Sequence, residues 1–132
     1  LAYGLDERPM HPGLEDYRTN FGIQGEFDDA TLRKVIAAYY GMISYLDDNI
    51  GKLISALEAS GLADTTRILY TSDHGESMGQ KCMFSKCNMY EESVGVPMIM
   101  SGPGIPSGKE VTTPVQLLDV FPDLKLSLAV DS

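Results

Sequence analysis

The chain has 132 residues, enough for one domain with a modest core but too few for two. Its formal net charge of -9 argues against a protein that binds nucleic acid, because neutralising phosphates needs a basic face. No apolar run approaches the roughly 18 residues of a membrane-spanning helix, so no membrane partner is predicted.

Two cysteines lie on an apparent loop. Cys82 and Cys87 are five positions apart and fit neither a zinc-binding spacing nor a disulfide framework. We therefore expect free thiols. This slightly favours a cytoplasmic protein and leaves a periplasmic or secreted one open.

The first half of the chain divides at residue 27. Residues 1–27 carry scattered proline and glycine and predict an irregular lead-in with one short turn of helix at residues 14–18. A lone histidine there, His11, is expected to be exposed and to bind nothing. From Asp28 to Ser60, apolar residues recur at spacings of three and four, which predicts a long helix that Gly61 ends. Such a rod cannot bury its own apolar stripe, so it should lie across a sheet.

The second half predicts strands and loops. Residues 67–72 form a short β-prone run, and a helix followed by such a strand is half of a βαβ unit. Residues 75–95 predict a long loop with one helical turn near residues 88–93, and residues 97–101 a second strand. Residues 111–112 predict a brief edge strand, and residues 116–130 a helix.

The first of these strands ends in Asp73, His74 and Gly75. Open α/β sheets present their chemistry at such carboxyl ends, and a carboxylate beside an imidazole can ligate a divalent metal. Taken alone, the pair is more typical of a helix-capping aspartate followed by a surface histidine.

The surrounding residues resemble the sulfatase family of the alkaline phosphatase superfamily. Residues 71–76 (Thr-Ser-Asp-His-Gly-Glu) resemble its second metal-binding motif. The similarity runs in order over about residues 39–124, and its other matching segments are 45–51, 57–66, 90–93, 96–97, 101–104 and 118–122, together with Lys86.

This resemblance implies an α/β fold, as part of an alkaline-phosphatase-like sandwich with the long helix packed on a mostly parallel sheet. It implies that Asp73 and His74 ligate a divalent metal, Ca²⁺ first and Mg²⁺ or Mn²⁺ as alternatives. It also implies that Lys86, twelve residues after His74, contacts the sulfate and its leaving group as a catalytic residue. The implied substrate is a small-molecule or glycan sulfate ester.

Sulfatases use a formylglycine made from a Cys/Ser-x-Pro-x-Arg motif, and this sequence contains no such motif. We therefore expect residues 28–132 to be the C-terminal portion of a catalytic domain. The formylglycine should lie in an N-terminal half of the parent protein, and the fragment alone should be inactive.

Apolar surface left uncovered by the absent half predicts self-association. Asp47 and Asp48 lie mid-helix and are predicted to be solvated or to cap rather than to complete the metal site.

Three other functions match parts of this pattern. Residues 75–79 match the Gly-x-Ser-x-Gly elbow of α/β-hydrolases, but both histidines precede Ser77, whereas in that fold the histidine follows the serine. We therefore reject an α/β-hydrolase centred on Ser77. A phosphonate monoester or phosphodiester hydrolase of the same superfamily resembles this pattern almost as well as a sulfatase does. A non-catalytic, sulfatase-like binding domain is the third alternative.

Overall fold

The computed structural model describes residues 11–21 and 28–120. The order of its elements is α1 (Pro12–Asn20), α2 (Asp29–Ala59), β1 (Ile68–Thr71), α3 (Glu91–Val94) and β2 (Met98–Ser101), with short 3-10 turns at Ala63–Thr65 and Gln80–Cys82. Residues 117–120 are also helical.

The long helix predicted from residue 28 to residue 60 is confirmed as α2. Its N-terminus is capped by Asp28, whose carboxylate accepts the Thr31 backbone N–H at 2.9 Å, so one of the unpaired amides of the first turn is satisfied. Just after the helix, Gly61 has a φ of 72°, in the left-handed region that glycine adopts without strain.

The N-terminal stretch is more ordered than the sequence predicts. Where a single turn of helix was expected, α1 runs for 9 residues. Pro12 stands at its first position, and Nδ1 of His11 accepts the Gly13 backbone N–H at 3.1 Å. His11 is exposed, as predicted, and it serves as a helix cap. The rest of the predicted lead-in lies outside the described residues, and the division at residue 27 stays a prediction.

The two described strands form an antiparallel pair. Their register sets Ile68 against Ser101 and Thr71 against Met98. The mostly parallel sheet expected from the sequence is therefore not confirmed in the described residues. A parallel neighbour for β1 would come from a strand before α2, and the described residues ahead of α2, 11–21, form a helix instead.

Helix α2 faces the sheet across an open groove of about 770 Å³. The groove is lined on the helix side by Tyr39, Ile43, Leu46, Asp47, Ile50 and Ile54, and on the sheet side mainly by Ile68, Tyr70, Pro97 and Ile99. Close packing of the helix on the sheet was predicted, but much of the apolar stripe is exposed, and Leu53 is 71% accessible. The helix thus lies opposite the sheet without burying its stripe on it.

The buried cluster lies instead between α1 and the long loop after β1. Tyr17 and Met83 are buried together, with Leu14, Phe84 and Tyr90 packed against them. Leu32 at the start of α2 is buried too, beside Gly79 of the same loop. The best-packed part of the described chain therefore surrounds the loop that carries Lys86.

Of the remaining predictions, the strands at residues 67–72 and 97–101 are confirmed, and α3 supplies the predicted helical turn. The edge strand at residues 111–112 is wrong, because neither residue pairs with a strand. The helix at residues 116–130 is described only over 117–120, and the remainder lies outside the described residues. None of the helices in residues 11–21 and 28–120 combines the length and apolar character that crossing a membrane requires.

Candidate active site

Strand β1 delivers Asp73 and His74 to its C-terminal end, as predicted. Oδ2 of Asp73 lies 3.5 Å from Nε2 of His74, so an oxygen and a nitrogen donor stand side by side. The Asp73 side chain is 84% exposed and that of His74 is partly exposed. The carboxylate of Asp73 is therefore open to a ligand from solvent.

Gly75 lets another backbone segment approach this pair. A Cβ on Gly75 would lie 2.1 Å from the carbonyl oxygen of Glu92, which no real side chain tolerates. The Gly75 N–H donates to the Ser93 carbonyl at 2.8 Å, so α3 is held against the turn. The absence of a side chain, rather than an unusual φ, is what this position requires.

The ring of His74 is held at both nitrogens. Nδ1 lies 2.8 Å from the Gly75 carbonyl oxygen, and Nε2 lies 2.5 Å from Nζ of Lys86. A carbonyl accepts and an ammonium donates, so this network assigns the neutral tautomer with its proton on Nδ1. The lone pair on Nε2 faces Lys86. The structure thus brings together all three residues singled out in the sequence.

Lys86 reaches His74 from the Lys86 loop, which we define as residues 76–88. Glu76 fixes this loop from the strand side, since its carboxylate accepts the Ser85 backbone N–H. The Ser77 N–H donates to the Ser85 carbonyl at 3.0 Å. These bonds place Ser85, the residue before Lys86, directly beside the chain that follows Asp73 and His74.

Ser77 does not resemble a nucleophile in this setting. It is buried, and its hydroxyl accepts a hydrogen bond from Nδ2 of Asn88 at 3.0 Å. Both nitrogens of the His74 ring are engaged by other groups. The rejection of a Ser77-centred hydrolase therefore agrees with the geometry.

The donor set fits part of a cation site. A carboxylate and an imidazole suit a divalent metal, and the Lys86 ammonium beside Nε2 shows that a positive charge is accommodated there. Within residues 11–21 and 28–120, no cluster of three or more His, Cys, Asp or Glu side chains is placed to hold a metal. Two ligands are too few for a firm site, and the roles of Asp73 and His74 stay predictions.

Asp47 and Asp48 do not join this pair. Asp48 forms an ion pair with Lys52 at 2.5 Å on the exposed face of α2, while Asp47 lines the groove. Cys82 and Cys87 are not joined in a disulfide.

Comparison with known proteins decides the family. The family model described as Sulfatase matches residues 9–128. The chain belongs to the sulfatase family. The match covers the whole described region and includes Asp73, His74 and Lys86.

Similar sulfatases include proteins named arylsulfatase K. The chain is 37% identical to the one from Danio rerio over 116 residues, and 38% identical to the one from Gallus gallus over 117 residues. It is 37% identical to the one from Homo sapiens over 117 residues. In each case 87% of this chain and 22% of the relative are covered. The chain thus spans about a fifth of the length of the curated relatives it matches.

Sequence reasoning missed two side chains of α1, Tyr17 and Arg18. Both are buried, and both bind backbone carbonyls of the Lys86 loop that lie 63 to 69 residues later in the chain. Such partners leave no periodicity or motif in a sequence. The sequence offers only an aromatic residue next to a basic one at these two positions.

Proposed function

We propose that this chain is part of a longer sulfatase that hydrolyses a sulfate ester, and that it supplies one side of the reaction centre. The observation that carries the proposal is the meeting of Asp73, His74 and Lys86 at the end of β1 in a member of the sulfatase family. The name that the relatives carry, arylsulfatase K, supports a sulfate ester as the substrate class. Within this class we propose a small-molecule or glycan sulfate ester.

In this proposal Asp73 and His74 ligate a divalent cation through Oδ2 and Nε2. The bound cation would polarise a nonbridging oxygen of the ester. Resemblance to the family favours Ca²⁺. The imidazole donor is less typical of calcium, which prefers oxygen ligands, so Mn²⁺ and Mg²⁺ belong in any binding experiment.

Lys86 is the proposed catalytic residue. Its ammonium offsets negative charge on the sulfate and on the departing oxygen, which grows as the ester bond breaks. The ammonium already lies within hydrogen-bond distance of a proposed metal ligand. A substrate bound to the cation would therefore also lie within its reach.

The nucleophile is proposed to lie in the part of the parent protein that this chain does not cover. The 132 residues contain no Cys/Ser-x-Pro-x-Arg motif. We therefore expect a formylglycine in the parent, and no turnover by the isolated chain. Release of product from an aryl sulfate by the purified 132-residue chain would contradict this part of the proposal.

The first experiment is peptide mass mapping of the parent protein, combined with assays of aryl sulfate, phosphonate monoester and phosphodiester hydrolysis. We expect formylglycine and highest kcat/KM on the sulfate. Lys86→Ala and Asp73→Asn should each lower kcat/KM by about 10²–10³-fold. Lys52→Ala, which removes an exposed lysine of α2, is the matched control and should have no effect.

The other outcomes identify the alternatives. Formylglycine with higher kcat/KM on a phosphonate or phosphodiester would assign the parent to that branch of the superfamily. An unmodified serine or threonine nucleophile would point to phosphoryl transfer. Absence of any turnover and of any candidate nucleophile would leave a non-catalytic binding domain.

A further inference from the structure

The backbone of the Lys86 loop has several residues in a strained conformation. Five of its non-glycine residues have positive φ, namely Met78, Lys81, Cys82, Ser85 and Cys87, with φ between 47° and 72°. Residues other than glycine enter this region only when surrounding contacts fix them there. The position of Lys86 therefore depends on whatever holds the loop in place.

Two adjacent side chains of α1 bind the loop from outside it. The Tyr17 hydroxyl shares its proton between the carbonyls of Phe84 and Lys86, the second at 2.6 Å. Arg18 donates from Nη2 to the Lys81 carbonyl at 3.0 Å and from Nε to the Cys82 carbonyl at 3.3 Å. Four carbonyls of a six-residue segment are thus bound by one pair of side chains, which we call the α1 clamp.

The α1 clamp is buried. Arg18 is 1% exposed and Tyr17 is 8% exposed. A buried guanidinium is tolerated only when its donors are satisfied, and Glu15 supplies a carboxylate at 2.6 Å in addition to the two carbonyls. Burial also raises the pKa of Tyr17 above its ordinary value, with Asn88 opposing it through a hydrogen bond. The hydroxyl therefore keeps the proton that it donates.

We propose that Tyr17 and Arg18 are positioning residues for Lys86, holding its backbone so that its ammonium reaches the site beside Asp73 and His74. On the other side, Glu76 and Ser77 bind Ser85, so the backbone before Lys86 is fixed between α1 and the end of β1. This inference rests on the proposed function, because it takes Lys86 as the group that contacts the sulfate. A small displacement of a charged group at a reacting centre can lower a rate by about 10²-fold.

The test is a double-mutant cycle in the full-length parent protein, with kcat and KM measured on an aryl sulfate. Tyr17→Phe removes only the hydroxyl and should lower kcat/KM by about 10–100-fold. In a Lys86→Ala background the same change should lower kcat/KM by less than about 2-fold, because there is no ammonium left to position. Tyr45→Phe removes a hydroxyl from an exposed tyrosine of α2 and is the matched control.

Arg18 is tested by a pair of variants. Arg18→Met should reduce kcat/KM as Tyr17→Phe does, and Arg18→Lys should recover part of the loss because it keeps a buried donor near the two carbonyls. If Tyr17→Phe lowers kcat/KM by the same factor with and without Lys86, the α1 clamp only stabilises the fold and the proposal is overturned. An unchanged kcat/KM in both Tyr17→Phe and Arg18→Met overturns it as well.

A second readout separates this inference from the proposed function. Hydrogen–deuterium exchange of the peptides that cover residues 81–86 should be about 10-fold faster in Tyr17→Phe than in Tyr45→Phe. If the parent hydrolyses no sulfate ester, the proposed function fails, while faster exchange still supports the α1 clamp. Unchanged exchange in Tyr17→Phe overturns the clamp whatever the activity of the parent.

Discussion

The ammonium of Lys86 occupies the lone pair with which His74 would ligate a metal. Nζ lies 2.5 Å from Nε2, while the opposite ring nitrogen donates to the carbonyl of Gly75. The same nitrogen cannot accept a hydrogen bond from Lys86 and coordinate a cation at once. If His74 ligates a metal through Nε2, Lys86 must therefore move away from this nitrogen.

Removing Lys86 should therefore raise the affinity of the parent protein for a divalent cation. Lys86→Met abolishes both the competition for Nε2 and the repulsion between two nearby positive charges, and we expect a roughly tenfold lower Kd. Titration calorimetry with Mn²⁺ and Ca²⁺ measures it. Lys52→Met removes a lysine that is engaged with Asp48 instead, so its Kd should match that of the wild type.

The result is informative because affinity and activity should change in opposite directions. The variant should bind the cation more tightly and hydrolyse the ester more slowly. Equal or weaker binding by Lys86→Met would mean that the ammonium does not compete with the metal, and that the contact with His74 belongs to another step.

Gly75 should not tolerate a side chain. In Gly75→Ala the new Cβ would meet the Glu92 carbonyl oxygen at 2.1 Å, and backbone would have to shift to relieve it. We expect a loss of about 1–3 kcal/mol in the free energy of unfolding, as for other overpacked positions. Urea unfolding followed by circular dichroism measures it.

Gly51→Ala is the matched control, with the opposite expected sign. Gly51 lies inside α2, and nothing approaches within 4 Å of a Cβ built there. Alanine restricts the unfolded chain more than glycine does, so this variant should be more stable by about 0.5–1 kcal/mol. If Gly75→Ala and Gly51→Ala were both destabilised, or both stabilised, the environments assigned to these two glycines would be wrong.

The elements that the sequence predicts correctly are those set by local physics. The spacing of apolar residues and a capping aspartate specify α2, and short β-prone runs before glycine specify β1 and β2. The meeting of Asp73 with His74 follows from their adjacency at the end of a strand. Lys86 was predicted through the family resemblance, and no local rule places it at His74.

The features that could not be predicted depend on distant backbone. The antiparallel pairing of β1 with β2 is decided by how a 26-residue connection folds, since the sequence of either strand suits both directions. The α1 clamp depends on carbonyls, which every residue carries. The strand predicted at residues 111–112 was wrong, because two β-branched residues form a strand only where another strand is available to pair with them.

The N-terminus of α2 should weaken at low pH because of Asp28. Its hydrogen bonds from Thr31 lower the pKa of this carboxylate below its ordinary value. A lowered pKa means that the folded state favours the ionised form. The cap contributes its full stabilisation above the unfolded pKa of 3.8, and loses it as the pH falls through the lower folded value.

Asp28→Ser isolates this contribution, because serine caps a helix without a titrating group. We expect the difference in the free energy of unfolding between wild type and variant to be constant at neutral pH and to shift toward the variant below about pH 4. Urea unfolding followed by circular dichroism, from about pH 2.5 to about pH 7, measures this difference. A difference that does not depend on pH would show that Asp28 does not act through its charge.

The exposed stripe of α2 should make the isolated chain self-associate. Several of its large apolar side chains are open to solvent, with Leu53 at 71% and Met42 at 61% exposure, and they continue the apolar lining of the groove opposite the sheet. Burying such an apolar patch is favourable. At high protein concentration a second copy of the chain is available to cover it. Light scattering coupled to size exclusion should give a mass that rises with concentration.

Leu53→Glu places a charge in the stripe and should shift the protein toward monomer. Ser55→Glu is the control, because it adds the same charge on another exposed side of α2 and should leave the mass unchanged. A wild-type mass of one chain at every concentration would mean that the stripe is covered by other parts of the chain itself.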